Sequence, residues 1–228
     1  MKARRPGPAV PPLAARKRVA AAAVVLILWM AAAACGGKSP SAPSVGGGET
    51  VSLPALSEMV SEKALGSEAA PNTVIEYSAF NCSHCADFHS LWLPELKRKH
   101  IDTGNVRYIL RDFPLDPSPT TSNAGLSAAM VARCTGNARY FDAASLLYST
   151  RGSWSSNPPA NLAAVMSSML SQAEVSACLA TTELRNAVLQ SRATGLEQFG
   201  VSGTPTFIVN GNKVVGNLGL AALEAYFK

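Results

Sequence analysis

The segment Glu76-Tyr77-Ser78-Ala79-Phe80-Asn81-Cys82-Ser83-His84-Cys85 places two cysteines, three positions apart, where one backbone pattern gives way to another. Before it, Val74, Ile75 and Tyr77 form a run of strand-forming residues; beyond it, Phe88, Leu91, Trp92 and Leu96 recur at helical spacing. Strand, turn and helix therefore meet at two sulfurs. Cysteines three positions apart on a first helical turn are close enough for a small-ring disulfide, and the unpaired amides of a helix start favour negative charge on the first sulfur. Cys82 is read as the nucleophile. Cys85, one turn further in, is read as the shielded thiol that resolves a mixed disulfide.

Working outward, the first confident strand covers Thr73 to Ser78 and the helix runs from Ser83 to about His100, with Pro94 kinking it from inside. Thr103-Gly104-Asn105 closes the helix and Val106 to Leu110 reads as a second strand, so the order is strand, helix, strand, the unit that builds a parallel pair. Arg111-Asp112-Phe113-Pro114-Leu115-Asp116-Pro117-Ser118-Pro119 ends strand character. From Ser122 to Phe199 Ala, Leu, Met and Ser dominate with helical periodicity, which predicts helices near 122–134, 138–149, 160–180 and 183–198. Such a block should form its own layer beside the sheet. Beyond Pro205, two strand-like runs flank Asn210-Gly211, a strong hairpin signal, and a helix from Leu220 to Phe227 follows. The fold class is α/β, a thioredoxin fold with a helical insertion at about 113–199, within a domain spanning 58–228.

The formal charge of +5 misleads. Lys2, Arg4, Arg5, Arg16, Lys17 and Arg18 precede residue 35 without any acid, and the remainder carries 14 basic and 15 acidic residues. No nucleic-acid footprint survives that division. The six charges precede the uncharged stretch Val19 to Ala34, whose 16 residues are short for a membrane span, which needs about 20. Residues 1–34 read as an export signal. Ala32-Ala33-Ala34-Cys35 resembles a bacterial lipobox, which would make Cys35 a lipidated N-terminus; ordinary cleavage after Ala-x-Ala is the alternative. Residues 35–57, rich in Gly, Ser and Pro up to Glu49, read as a flexible tether that would hold an extracytoplasmic domain to a membrane. In that compartment Cys134 and Cys178, 44 positions apart in the helical block, are expected to be bridged.

Three blocks, Glu76 to Cys85, Arg111-Asp112-Phe113-Pro114-Leu115 and Val201-Ser202-Gly203-Thr204-Pro205-Thr206-Phe207, resemble the DsbA-like thiol-disulfide oxidoreductases in residues and in order. The resemblance covers about residue 58 to the end. It implies a periplasmic oxidant of protein thiols, with no cofactor beyond the Cys82-Cys85 disulfide and a cis peptide at Thr204-Pro205 facing the sulfurs, where a client backbone would dock. It also implies that Glu76 accepts the proton of Cys85 and that His84, when protonated, favours the Cys82 thiolate. The best-known members have Pro-His between the cysteines and this chain has Ser83-His84, which bears on oxidant strength. The implied partners are reduced client proteins and a quinone-linked membrane protein that reoxidises the pair, and a monomer is expected. Reductase or isomerase chemistry is an alternative. A different class is copper delivery through Cys82, Cys85 and His89, although His89, His100, Phe88 and Trp92 read more simply as core and surface of an amphipathic helix.

Overall fold

The computed structural model describes residues 51–228, so the leader, Cys35 and the tether up to residue 50 lie outside the described residues. The described residues all fall in one compact unit, Gly47–Lys228. In chain order the elements are α1 (Leu56–Met59), β1 (Lys63–Leu65), β2 (Asn72–Ser78), α2 (Ser83–Leu91), α3 (Leu93–Leu96), a π-helical turn (Lys97–Ile101) and β3 (Val106–Asp112). The helical block follows as α4 (Ala124–Arg133), α5 (Tyr140–Ser149), α6 (Arg151–Trp154), α7 (Pro158–Val165), α8 (Gln172–Ala180) and α9 (Thr182–Phe199). The chain then returns as β4 (Thr206–Val209), β5 (Asn212–Val215) and α10 (Leu220–Glu224).

The five strands lie in the order β1-β3-β2-β4-β5. β2 pairs with β3 in parallel, Glu76 opposite Leu110, and with β4 antiparallel, Glu76 opposite Phe207. β2 is therefore the central strand. That position decides the fate of Glu76: both flanks are paired and both faces covered, so its side chain is fully buried rather than turned to solvent at an edge. The β4–β5 turn carries positive φ at Asn210 (50°) and Gly211 (87°), the left-handed pair that a two-residue hairpin requires.

The expected helix from Ser83 to about His100 is broken at Trp92, and Pro94 sits in the first turn of α3. A proline lacks the amide that a continuous helix would use, and at a helix start that amide is unpaired anyway. The second strand runs two residues further than expected, to Asp112, before the prolines end it. Ahead of β1, Leu53 packs against the core and α1 forms at Leu56.

The helical layer is tied to the sheet by polar contacts and held together within itself by a disulfide. Arg133 at the end of α4 donates Nε to Asp112 Oδ2 at 2.6 Å and Nη1 to the carbonyls of Met59 and Ser61. Both charged groups are buried, and each is matched by a partner, without which burial would be strongly destabilising. Cys134 and Cys178 form a disulfide with Cα atoms 6.2 Å apart, joining the end of α4 to α8. α9 crosses the sheet closely at Gly195, where a methyl group would lie 2.7 Å from the buried Tyr77 ring.

Candidate active site

The start of α2 is capped by a sulfur. Cys82 is the N-cap residue, with extended backbone, and its Sγ accepts the Cys85 amide at 3.4 Å. Facing it, the Thr204-Pro205 peptide bond is cis, and Cys82 Sγ lies 3.4 Å from the Thr204 carbonyl oxygen, to which it donates only when protonated. Cys82 and Cys85 are both unbridged here, as the reduced pair. Cys82 keeps 8% of its surface in contact with solvent and Cys85 none, so an incoming sulfur can reach only the first.

The two thiols are pushed apart in acidity. Cys82 is lowered to about 5, chiefly because the Cys85 thiol donates to it, with further help from the Thr204 side chain and the backbone amides of Cys85 and His84; burial opposes the shift. The Thr204 hydroxyl is buried without a hydrogen-bond partner among the described residues, which leaves it free to serve the Cys82 thiolate. Cys85 is raised far above an ordinary thiol, first by burial and then by its bond to Cys82 and the nearby Glu76 carboxylate. A helix start thus holds one sulfur as an anion and the other as a thiol.

Behind Cys85 lies a polar cluster within the core. Glu76 Oε2 accepts the Tyr108 hydroxyl at 2.5 Å and lies 3.2 Å from His89 Nε2. The His89 ring stacks on Tyr148 with centroids 4.1 Å apart, and the Tyr148 hydroxyl shares a 2.7 Å hydrogen bond with Ser78 Oγ. Burial, followed by the Glu76 charge, raises Tyr108 and Tyr148 well above an ordinary phenol, so both stay protonated.

The structure thus gathers Cys82, Cys85, Glu76, Thr204 and Pro205 at one end of the central strands. His84 lends its amide to the Cys82 sulfur, while its ring is 73% exposed and lies 3.9 Å from Asp87. Cys134 and Cys178 form a separate bridge in the helical layer. His89 faces Glu76 rather than joining the two sulfurs, and no group of three His, Cys, Asp or Glu side chains among the described residues could hold a metal ion. His100 sits apart, 2.8 Å from Glu224. Tyr108, Tyr148 and Ser78 were not singled out in the sequence. The signal for Tyr108 was period two: Val106, Tyr108 and Leu110 share the β3 face that meets Val74 and Glu76 on β2.

A protein-family model described as thioredoxin matches residues 58–228. A Rickettsia conorii protein, named as a candidate protein-disulfide oxidoreductase, is 29% identical over 151 residues, 64% of this chain and 52% of its own length. The chain thus spans about half the length of the curated relatives it matches. Among solved structures, alpha-DsbA1 of Wolbachia pipientis aligns with a TM-score of 0.64 and 28% identity, covering 76% of this chain and 90% of that one. BdbD of Bacillus subtilis shares the fold, with a TM-score of 0.57 and 19% identity over 71% of this chain and 86% of its own. With a paired-cysteine helix start, a Thr-Pro loop facing it and a helical layer beside a five-stranded sheet, this chain belongs to the DsbA-like thiol-disulfide oxidoreductases of the thioredoxin superfamily.

Proposed function

We propose that this protein is an exported oxidase of protein thiols, which donates the Cys82-Cys85 disulfide to reduced clients. One observation carries the reading: the Cys82 sulfur caps a helix start and accepts the Cys85 amide while Cys85 is fully buried behind it, an arrangement that lowers the first thiol to about 5 and raises the second. Both effects belong to the opened pair. Whatever stabilises the reduced form makes the oxidised form the stronger oxidant, and DsbA itself marks the extreme of that trend.

In the oxidised protein a client thiolate attacks Cys82 Sγ, the more accessible of the two sulfurs. The Cys82-Cys85 bond breaks, Cys85 departs with the electron pair, and it takes up a proton. A second client thiolate then attacks the client sulfur of the mixed disulfide. Cys82 leaves as the thiolate that the helix start and Thr204 already favour. The client loses two electrons and the pair gains them. Thr204, within 3.4 Å of Cys82, would align the client through its main chain, a mode that reads backbone rather than sequence.

Return of the pair to its disulfide needs an electron acceptor, for which a quinone-linked thiol oxidase in the membrane is the fitting class. The basic leader, the apolar stretch after it and Cys35 support export and lipid attachment to the same membrane. Among the described residues no helix is long and apolar enough to cross a membrane. No cofactor other than the disulfide is called for. Incubating the oxidised protein with a reduced peptide bearing two cysteines tests the reading. One client disulfide should form per protein molecule, and none with Cys82→Ser; a peptide that stays reduced would remove it.

A further inference from the structure

The thiol of Cys85 is fully buried, and so is the Glu76 carboxylate behind it. Every turn of the cycle moves a proton on or off Cys85. Glu76 alone cannot exchange that proton with solvent, because it has no exposed surface. His89 can connect the two. It lies one helical turn beyond Cys85 on α2, so both side chains project to the same side, and its Nε2 is 3.2 Å from Glu76 Oε2. The same ring lines a cavity of about 750 Å³ between α2–α3, α5 and β1, whose walls include Ser90, Lys97, Asp142 and Ser145. His89 is therefore the residue at which a buried carboxylate meets a large open cavity with polar and charged groups on part of its walls. The other Glu76 oxygen, Oε1, has no hydrogen-bond partner among the described residues, which leaves it able to receive or give the Cys85 proton.

We propose that His89 carries the proton between Glu76 and the water of this cavity, as a positioning residue of the disulfide cycle that acts on Cys85 through Glu76. The inference rests on the reading that the Cys82-Cys85 pair cycles. When a thiolate attacks Cys82 Sγ, the bond to Cys85 breaks and the Cys85 sulfur takes a proton from the Glu76 carboxyl. The protonated His89 ring returns a proton to Glu76 and is itself reprotonated from the cavity. Closure of the pair runs the same route outward. The groups facing His89 are Glu76 on β2, Tyr108 on β3 and Tyr148 on α5. Asp87 and Lys97 beside it, and Asp142 across the cavity, are the charged groups of the same walls.

The test is the single-turnover opening of the oxidised pair by dithiothreitol between pH 5 and 8, in the wild-type protein, His89→Ala and Ser145→Trp. Dithiothreitol opens such a pair whatever its potential, so the measurement is readable even if the oxidase reading fails. Removing a positioned proton carrier typically costs 10²–10⁴-fold; at least about a tenfold slowing is expected for His89→Ala, with a changed pH profile. Added imidazole, which the cavity can admit, should restore much of the rate. Ser145→Trp, which fills the cavity from an exposed position of α5, should slow opening with His89 still in place. It keeps the test alive if His89→Ala does not fold. A folded His89→Ala with the wild-type rate and profile would overturn the proposal, as would a slowed variant that imidazole leaves unchanged. A Ser145→Trp variant as fast as wild type would count against it equally.

Discussion

Reducing the Cys82-Cys85 pair should make the stability of this protein depend on pH in a way that its oxidised form does not share. Cys82 is near an ordinary thiol, about 9, in the unfolded chain and lowered to about 5 in the folded one. The folded state therefore binds the Cys82 proton less tightly than the unfolded state does. That contribution to stability is fully present above about pH 9, declines as pH falls, and is gone below about pH 5. Each unit within the window is about 1.4 kcal/mol. At pH 7, two of the four units are in hand, about 2.7 kcal/mol, an upper figure because water near the helix start screens part of it. Cys85 does not disturb the window, since it is raised in the fold and stays protonated throughout it. The oxidised pair has no sulfur to ionise. Urea unfolding of both forms at pH 5, 6, 7 and 8 measures the effect, as the stability of the reduced form minus that of the oxidised form. The difference should climb with pH toward a slope of about 1.4 kcal/mol per unit. A flat difference, or one that falls with pH, would refute the reasoning from the Cys82 thiolate to oxidising power.

Other outcomes follow from the same geometry. Cys85→Ser leaves Cys82 without its resolving partner, so covalent client adducts should accumulate through Cys82 and vanish on reduction; a non-reducing gel of the tagged variant from cells, without such adducts, would count heavily against the proposed cycle. Replacing Cys134 and Cys178 together by Ala opens a link of sequence separation 44 and should lower stability by about 4 kcal/mol on the chain-entropy model, with the Cys82 thiolate absorbance titration unmoved. Gly195→Ala would drive a methyl group against the fully buried Tyr77 ring and should lower stability by roughly 1–3 kcal/mol in urea unfolding; an unchanged midpoint would mean that α9 is free to shift.

The parts of the site that sequence makes visible share one property: their chemistry is local. The two cysteines sit at a helix start because strand periodicity ends there and helical periodicity begins, and the Asn210-Gly211 hairpin is written in residues that tolerate positive φ. A carboxylate buried in an apolar strand, as Glu76 is, demands a partner, and its partners come from other elements. Tyr108 is on the neighbouring strand and His89 on the following helix, and neither spacing in the chain announces the meeting. β1 escaped because three residues are too few to show an alternating pattern; pairing with β3 makes Lys63–Leu65 a strand. α6 lies where Gly152 to Pro159 reads as a turn cluster, and burial of Trp154 under the helical layer overrides that preference.

The most direct test of the account is the reduction potential of the Cys82-Cys85 pair at pH 7, read by glutathione titration. Thioredoxin's nucleophilic thiol is at about 7, so at pH 7 a Cys82 lowered to about 5 favours the reduced form about fiftyfold more, about 50 mV for a two-electron couple. The account predicts a potential at least that far above thioredoxin's, hence above about −220 mV. A value at or below thioredoxin's, about −270 mV, would contradict it.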